Sequence, residues 1–149
     1  EVQALVGAST SPSPRRATHG VDSSRVAMIL AVLERRAGVR LADRDVYVST
    51  VGGVRLSEPA VDMAILLAVA SASTQVLLPA GTLAFGEVGL AGEIRNVNAA
   101  ARRLAEAERL GFTKAFIPSG TDLPDIATSG VSVTEVSDVR DALAALAHD

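Results

Sequence analysis

Few groups in this chain can carry chemistry. Among 149 residues there is no cysteine, and the only histidines are His19 and His148. Composition therefore excludes thiolate zinc sites, iron–sulfur clusters, disulfide scaffolds, cysteine nucleophiles and multi-histidine metal centres. Lysine occurs once, as Lys114, while arginine supplies every other basic side chain. Burial can lower a lysine amine toward neutral pH and make it a base. A guanidinium stays protonated and serves only as a donor and a fixed positive charge. The chain is thus rich in anion-binding groups and poor in proton-transfer groups. Two local groupings remain. Asp22, Ser23 and Ser24 follow His19, but residues so near in sequence seldom build a triad, and nothing supplies an oxyanion hole. The grouping reads as a loop histidine beside a helix cap. Glu58 and Asp62 stand one helical turn apart, where acidic residues near a helix N-terminus complement its dipole.

Arginine placement is more informative. Arg15 and Arg16 follow Pro12 and Pro14 on a stiff exposed loop where folding does not require them. Phosphate contact or a subunit interface would use them. Arg25, Arg35 and Arg36 ride the next helix, and Arg40, Arg44 and Arg55 follow. Arg102, Arg103 and Arg109 decorate another helix, where Glu106 and Glu108 offer ion-pair partners. The net charge is −3, unevenly spread: the balance is +2 through Lys114 and −5 from Ala115 onward. This is not the footprint of a strongly basic nucleic-acid module, so DNA contact would need a local arginine cluster. Aromatics (Tyr47, Phe85, Phe112, Phe116) are 3% of residues, and three lie in apolar surroundings, so base stacking on aromatic platforms is not expected. The Gly86–Gly92 stretch has no lysine and reads as a hairpin, so it forms no phosphate cradle.

The elements that must position these groups read as a mixed α/β domain. Hydrophobic residues are 48% and charged residues 21%, enough for one packed core in a single domain over 1–149. Glu1–Val6 alternates as a strand and Ser9–Pro14 is a loop. Asp22 or Ser23 caps a helix to about Arg36, with Val26, Ile29, Leu30 and Leu33 as its buried stripe and Gly38 as its stop. Val46–Thr50 is a strand. Pro59 to about Ser71, almost wholly apolar, is a central buried helix. Leu83–Val88 and Glu93–Val97 pair across a glycine turn. Asn98 caps a helix Ala99–Leu110 stopped by Gly111. Strands Ala115–Ile117 and Val131–Val136 follow, and Ser137 caps a last helix to about Ala147. No apolar run approaches the ~18 residues of a membrane span. The chain opens in a strand-like run without methionine, which reads as a piece of a longer polypeptide.

Several of these segments carry a resemblance. Phe85-Gly86-Glu87-Val88-Gly89-Leu90-Ala91-Gly92-Glu93-Ile94-Arg95 resembles the glycine hairpin of the Lon protease proteolytic domain. Leu110-Gly111-Phe112-Thr113-Lys114-Ala115-Phe116-Ile117-Pro118 resembles a later strand of that domain. Ser13-Pro14-Arg15-Arg16-Ala17-Thr18-His19-Gly20-Val21-Asp22, Arg25-Val26-Ala27-Met28 and Val51-Gly52-Gly53-Val54-Arg55 resemble the C-terminal Lon-like domain of the RadA (Sms) family of bacterial DNA repair proteins. The resemblance covers nearly the whole chain, with the matches in the right order, and the acidic end after Leu123 adds little to it.

The resemblance implies a Lon-type fold and, at first sight, a Ser–Lys dyad. The serine position, after Pro59, is Ala60; the lysine position, in the helix after the hairpin, is Ala101. Arg102 and Arg103 cannot act as bases, Lys114 aligns with a strand, and Ser57 has no base partner and reads as a cap. Asp62 replaces a glycine next to the family's old active site, which leaves it an interface role beside the dipole reading. The expectation is a non-proteolytic Lon-like scaffold with no catalytic residues, no metal and no cofactor of its own, contacting single-stranded or branched DNA, weakly in isolation, through Arg15 and Arg16. The family implies ATP, Mg and Zn for the full-length protein, a recombination and DNA repair motor driving branch migration. It also implies a homo-oligomer, a hexameric ring, a RecA-type recombinase as partner, a cytoplasmic location and no membrane. The alternatives are an active Lon-type Ser–Lys peptidase and a Lon-like domain from a competence-linked ATPase.

Overall fold

A computed structural model describes residues 1–123 and 130–147; His148 and two residues of the acidic end, Asp125 and Asp149, lie outside them. The elements are β1 (Val2–Ala8), β2 (Arg16–His19), α1 (Ser23–Ala37), β3 (Arg44–Thr50), a 3-10 turn (Pro59–Val61), α2 (Asp62–Thr74), β4 (Thr82–Ala84), β5 (Glu87–Val88), β6 (Ile94–Arg95), α3 (Ala100–Arg109), β7 (Lys114–Pro118), β8 (Ser132–Val136) and α4 (Val139–Ala147). The mixed α/β class expected from the sequence is what forms. No described helix is long and apolar enough to cross a membrane.

The first sheet has the order β1-β3-β2. β1 runs antiparallel to β3, from Val2 opposite Thr50 to Ala8 opposite Arg44. β2 lies parallel on the other side of β3, from Arg16 opposite Val46 to His19 opposite Ser49. β2 departs from the expected loop. The prolines keep Ser9–Pro14 irregular, but the Arg15 carbonyl accepts the Val46 N–H at 2.9 Å and draws the next residues onto the ladder. Arg16 therefore opens a strand.

The second sheet, β4-β7-β8, is parallel throughout. The expected Leu83–Val88 strand is broken in two. β4 pairs with β7, whereas β5 and β6 form a separate hairpin with Val88 opposite Ile94. The break falls at Gly86, whose N–H donates to the Ala60 carbonyl at 3.0 Å and whose own carbonyl accepts the Met63 N–H at 3.1 Å. Both backbone groups are thus taken by the start of α2 instead of a strand. Gly86 has φ +155°, and a Cβ there would sit 2.9 Å from the Ile94 and Met63 side chains, so only glycine allows this approach.

α2 is central. Met63, Ile65, Leu66, Leu67, Val69 and Ala70 are all buried, as an all-apolar helix requires. The α1 stripe Val26, Ile29, Leu30 and Leu33 is buried beside it; Asp22 accepts the Ser24 N–H at 2.8 Å and Gly38 closes the helix in the left-handed region. Two caps differ from expectation. α3 starts behind Ala99, which takes φ 58° with no side-chain cap. Asn98 instead accepts Arg103, at its carbonyl (3.0 Å) and at Oδ1 (3.3 Å). In α4 the cap is Asp138, accepting the Asp141 N–H at 2.9 Å, while Ser137 donates to the Asp141 carboxylate.

The two sheets are covered differently. In β7, Phe116 enters the main core with α1, α2 and α4, while Ala115 and Ile117 pack on the opposite side with Ala100 and Leu104 of α3. The central strand of the parallel sheet is thus buried on both faces, as such sheets favour, while β4 and most of β8 are half-buried or exposed. The first sheet turns Val46, Val48 and Thr50 inward and leaves its other face to solvent.

Candidate functional site

The two positions singled out for catalysis lie at element starts. Ala60 is buried in the 3-10 turn ahead of α2. Ala101 is half-buried in the first turn of α3. A cleft of about 560 Å³ opens beside Ala60, lined among others by Leu56, Glu58, Leu83, Phe85 and Arg103. Neither alanine offers a hydroxyl or an amine. Glu1 and Thr82 also line the cleft, and two of its charged groups, Glu58 and Arg103, are joined by two parallel contacts of 3.2 Å. The fork on its two oxygens holds the Glu58 carboxyl below its ordinary range. The same guanidinium stands 5.8 Å from the centre of the Phe85 ring. A charged acceptor bound to a permanently protonated donor neither attacks nor takes a proton. Arg103 thus departs from the expected pairing within its own helix, while Arg109 does pair with Glu106 there.

Ser57 does not cap: Glu58 occupies the cap position and no side chain bonds the turn. Ser57 lines a different groove, with His19, Asp22 and Arg55. Asp22 is engaged as the α1 cap. Lys114, the only lysine, opens β7 with its ammonium 5.2 Å from the Phe116 ring centre.

Asp62 was expected to serve the helix dipole or an interface; it is fully buried. Arg25 grips it from α1, with Nε 2.8 Å from Oδ1 and a second bond from Nη2 to Oδ2. The Val88 N–H donates to Oδ2 at 3.1 Å. One carboxylate therefore ties α1, α2 and β5 together. The hydrogen bond to Asp62 also pushes the Arg25 pKa up. A signal for this pair existed in the sequence. An acid in an otherwise apolar helix must find a cation. Arg25 is four residues before Ile29 and so borders the buried stripe.

Arg15 and Arg16 both sit at the exposed start of β2 and point to different partners. Arg16 donates to the Leu41 carbonyl at 2.8 Å and to the Arg44 carbonyl, so its guanidinium fastens β2 to the segment entering β3. Arg15 uses its main chain: its N–H donates to Asp45 Oδ1 at 2.7 Å, which lowers the Asp45 pKa. Its side chain is exposed.

Comparison with known proteins adds kinship. The family model described as subunit ChlI of Mg-chelatase matches residues 18–121. The chain is 52% identical over 122 residues to the DNA repair protein RadA of Mycobacterium tuberculosis, a match covering 82% of this chain and 25% of that protein. It is 45% identical over 146 residues to that of Haemophilus influenzae, covering 98% and 32%. With the Escherichia coli protein of that name it shares 43% over 143 residues, covering 96% and 31%. The chain thus spans about a quarter to a third of the length of the curated relatives it matches.

Proposed function

The chain belongs to the family described as subunit ChlI of Mg-chelatase, and from that membership and its kinship with RadA proteins we propose that it is a proteolytically inert Lon-like domain of a RadA-type recombination and DNA repair ATPase. In that reading it scaffolds a homo-oligomeric, hexameric ring in the cytoplasm and lends DNA contacts to branch migration, alongside a RecA-type recombinase. The observation that carries the inert reading is the pair of alanines at the dyad positions: neither Ala60, at the cleft ahead of α2, nor Ala101, in the first turn of α3, offers a hydroxyl or an amine. ATP, magnesium and zinc would be held elsewhere in such a protein. The residues here do not fit the metals: the chain lacks cysteine, and no group of three or more His, Asp or Glu among the described residues could hold one.

DNA contact runs through Arg15 and Arg16. Arg15 supplies the reaching guanidinium, and Arg16 fixes the strand that presents it. Few phosphate contacts per protomer give weak binding alone, and a ring multiplies them. Binding is insensitive to sequence and weakens steeply with salt, because each neutralised phosphate releases counterions. Mobility-shift titrations at two salt concentrations test this. The double variant Arg15→Ala with Arg16→Ala should bind all sequences less tightly and with a flatter salt slope; equal affinity would remove these residues from the DNA reading. Incubation with casein and fluorogenic peptides should give no turnover above buffer. Cleavage abolished by mutating one named serine would favour the peptidase instead.

A further inference from the structure

The loop between β1 and β2 carries a group that the scaffold role does not use. Thr10, Ser11, Pro12 and Ser13 are exposed and Pro14 is half-buried. Both ends of the loop are fastened at the start of β3. The Ser9 N–H donates to the Asp43 carbonyl at 3.2 Å, and the Arg15 N–H donates to Asp45 Oδ1 at 2.7 Å. Between these ends, no backbone group from Thr10 to Pro14 bonds to the rest of the fold among the described residues. The Ser9 and Ser11 hydroxyls serve the loop itself, accepting the Ser11 and Ser13 N–H groups at 3.2 Å each. The Ser13 hydroxyl makes no hydrogen bond among the described residues. Pro14 follows it and keeps Ser13 out of the helical region. The loop is thus an arch that can lift from the surface while the ladders at its two ends stay intact. Beside it, the Arg16 guanidinium is committed to the Leu41 and Arg44 carbonyls, whereas that of Arg15 is exposed and unengaged among the described residues.

We propose that Ser13 is a phosphorylation site, and that a phosphate there captures Arg15 and withdraws it from DNA. The proposal rests on the DNA-contact reading above and gives that contact a means of regulation. A serine/threonine protein kinase must draw its target segment into its own cleft, and an exposed arch of small polar residues without ladder bonds allows this at little cost. The γ-phosphoryl group of ATP passes to Ser13 Oγ. The bond from its phosphorus to ADP breaks, the bond to Oγ forms, and the hydroxyl proton goes to a base of the kinase; a phosphatase restores the serine with water. The product carries close to two negative charges and three strong acceptor oxygens. Asp43 and Asp45, at the feet of the arch, turn it away from β3. Arg15 stands two residues on, about 7 Å along an extended chain. Its own long side chain covers that span, and its planar fork suits a phosphate. Once captured, the guanidinium answers an internal phosphate instead of one of DNA, and the added charge repels the polyanion as well. Ser11 also precedes a proline, but it lies four residues from Arg15 and its oxygen already holds the Ser13 N–H. Ser13 is therefore the acceptor that can reach the cation.

Incubation of the chain with ATP and a proline-directed serine/threonine kinase should phosphorylate Ser13, located by mass spectrometry, and Ser13→Ala should lose the label. Label retained in full by Ser13→Ala, or no label on the parent, overturns the acceptor. With phosphoserine placed at position 13 by codon suppression, mobility-shift titration should show DNA binding weakened about tenfold, with the melting transition retained. A phosphorus NMR titration reads the capture without DNA. The second ionisation of the phosphate should fall below its ordinary value of about 6 and return to it in Arg15→Ala. An identical midpoint in both would mean that the phosphate is solvated and that Arg15 does not hold it, which refutes the capture. If the parent binds DNA and the phosphorylated chain binds it equally well, the switch is refuted and the arginine reading stands. If the parent binds no DNA, the arginine reading falls and the switch falls with it.

Discussion

Two arginine–carboxylate pairs flank the start of α2, one turn apart in sequence, and their surroundings give them opposite properties. Asp62 is fully buried, and its partner Arg25 is 26% exposed. Glu58 is 58% exposed, and its partner Arg103 is 25% exposed. Each joins distant parts of the chain with a forked guanidinium. The Asp62 carboxylate has no water to return to, so losing Arg25 leaves a bare charge inside the core. Glu58 has solvent on hand, so its pair opens at little cost. The same two functional groups thus make a structural clamp or a weak, solvated cleft-edge pair depending on whether the carboxylate retains water.

The comparison breaks most readily at the clamp. Arg25→Ala should cost about 3 kcal/mol in urea denaturation, while Arg25→Met combined with Asp62→Leu should recover most of that loss. A cost below ~1 kcal/mol for the single variant would show that the buried carboxylate does not need its cation. The cleft side is sharpened by Ala99, the residue that launches α3 and Arg103. A left-handed alanine costs ~1–2 kcal/mol relative to its ordinary conformation, part of it offset by the entropy that glycine loses. Ala99→Gly should therefore stabilise the fold by about 0.5–1 kcal/mol, read as a raised thermal midpoint. The smallest effect belongs to Glu58→Gln, a few tenths of a kcal/mol that shrink further in high salt.

The pH dependence of that last pair has a definite sign. The Glu58 carboxyl titrates below its ordinary 4.5 in the folded chain. Its contribution is complete above 4.5 and disappears as pH falls through the lower folded-state value. A carboxyl-carbon NMR titration should place the Glu58 midpoint below 4.5, and in Arg103→Ala the midpoint should rise. No rise would mean that another group holds it.

Much of the fold was legible because it rests on local signals. The α1 stripe and its Asp22 and Gly38 ends follow from spacing and capping chemistry, and α2 from an apolar run behind a proline. What escaped depends on partners distant in sequence. β2 exists because β3 offers it a ladder, although two prolines precede it. The Leu83–Val88 strand divides because α2 claims both backbone groups of Gly86. For the candidate site, Ala60 and Ala101 came from the family resemblance alone. The engagement of Arg103 with Glu58, 45 residues away, and of Arg25 with Asp62, 37 residues away, could not. Tyr47 was counted among the aromatics, but its outward direction is set by register with Leu5 and Ala17, which composition does not carry.

The position of α4 governs the order in which this chain can complete itself during synthesis. Val139, Ala142 and Leu146 enter the same core as Val26, Ile29 and Leu30, and α4 packs directly on α1 and α2. α1 leaves the ribosome more than a hundred residues before the surface that covers it. The parallel sheet waits as well: β4 must find β7 across 32 residues, and β8 follows both. Pairings of such span close slowly. A nascent chain that has not yet released α4 thus carries an open apolar seam along α1 and α2, and such a seam invites aggregation or chaperone capture. Folding of this core is therefore completed when α4 seals a surface whose first helix was made more than a hundred residues earlier.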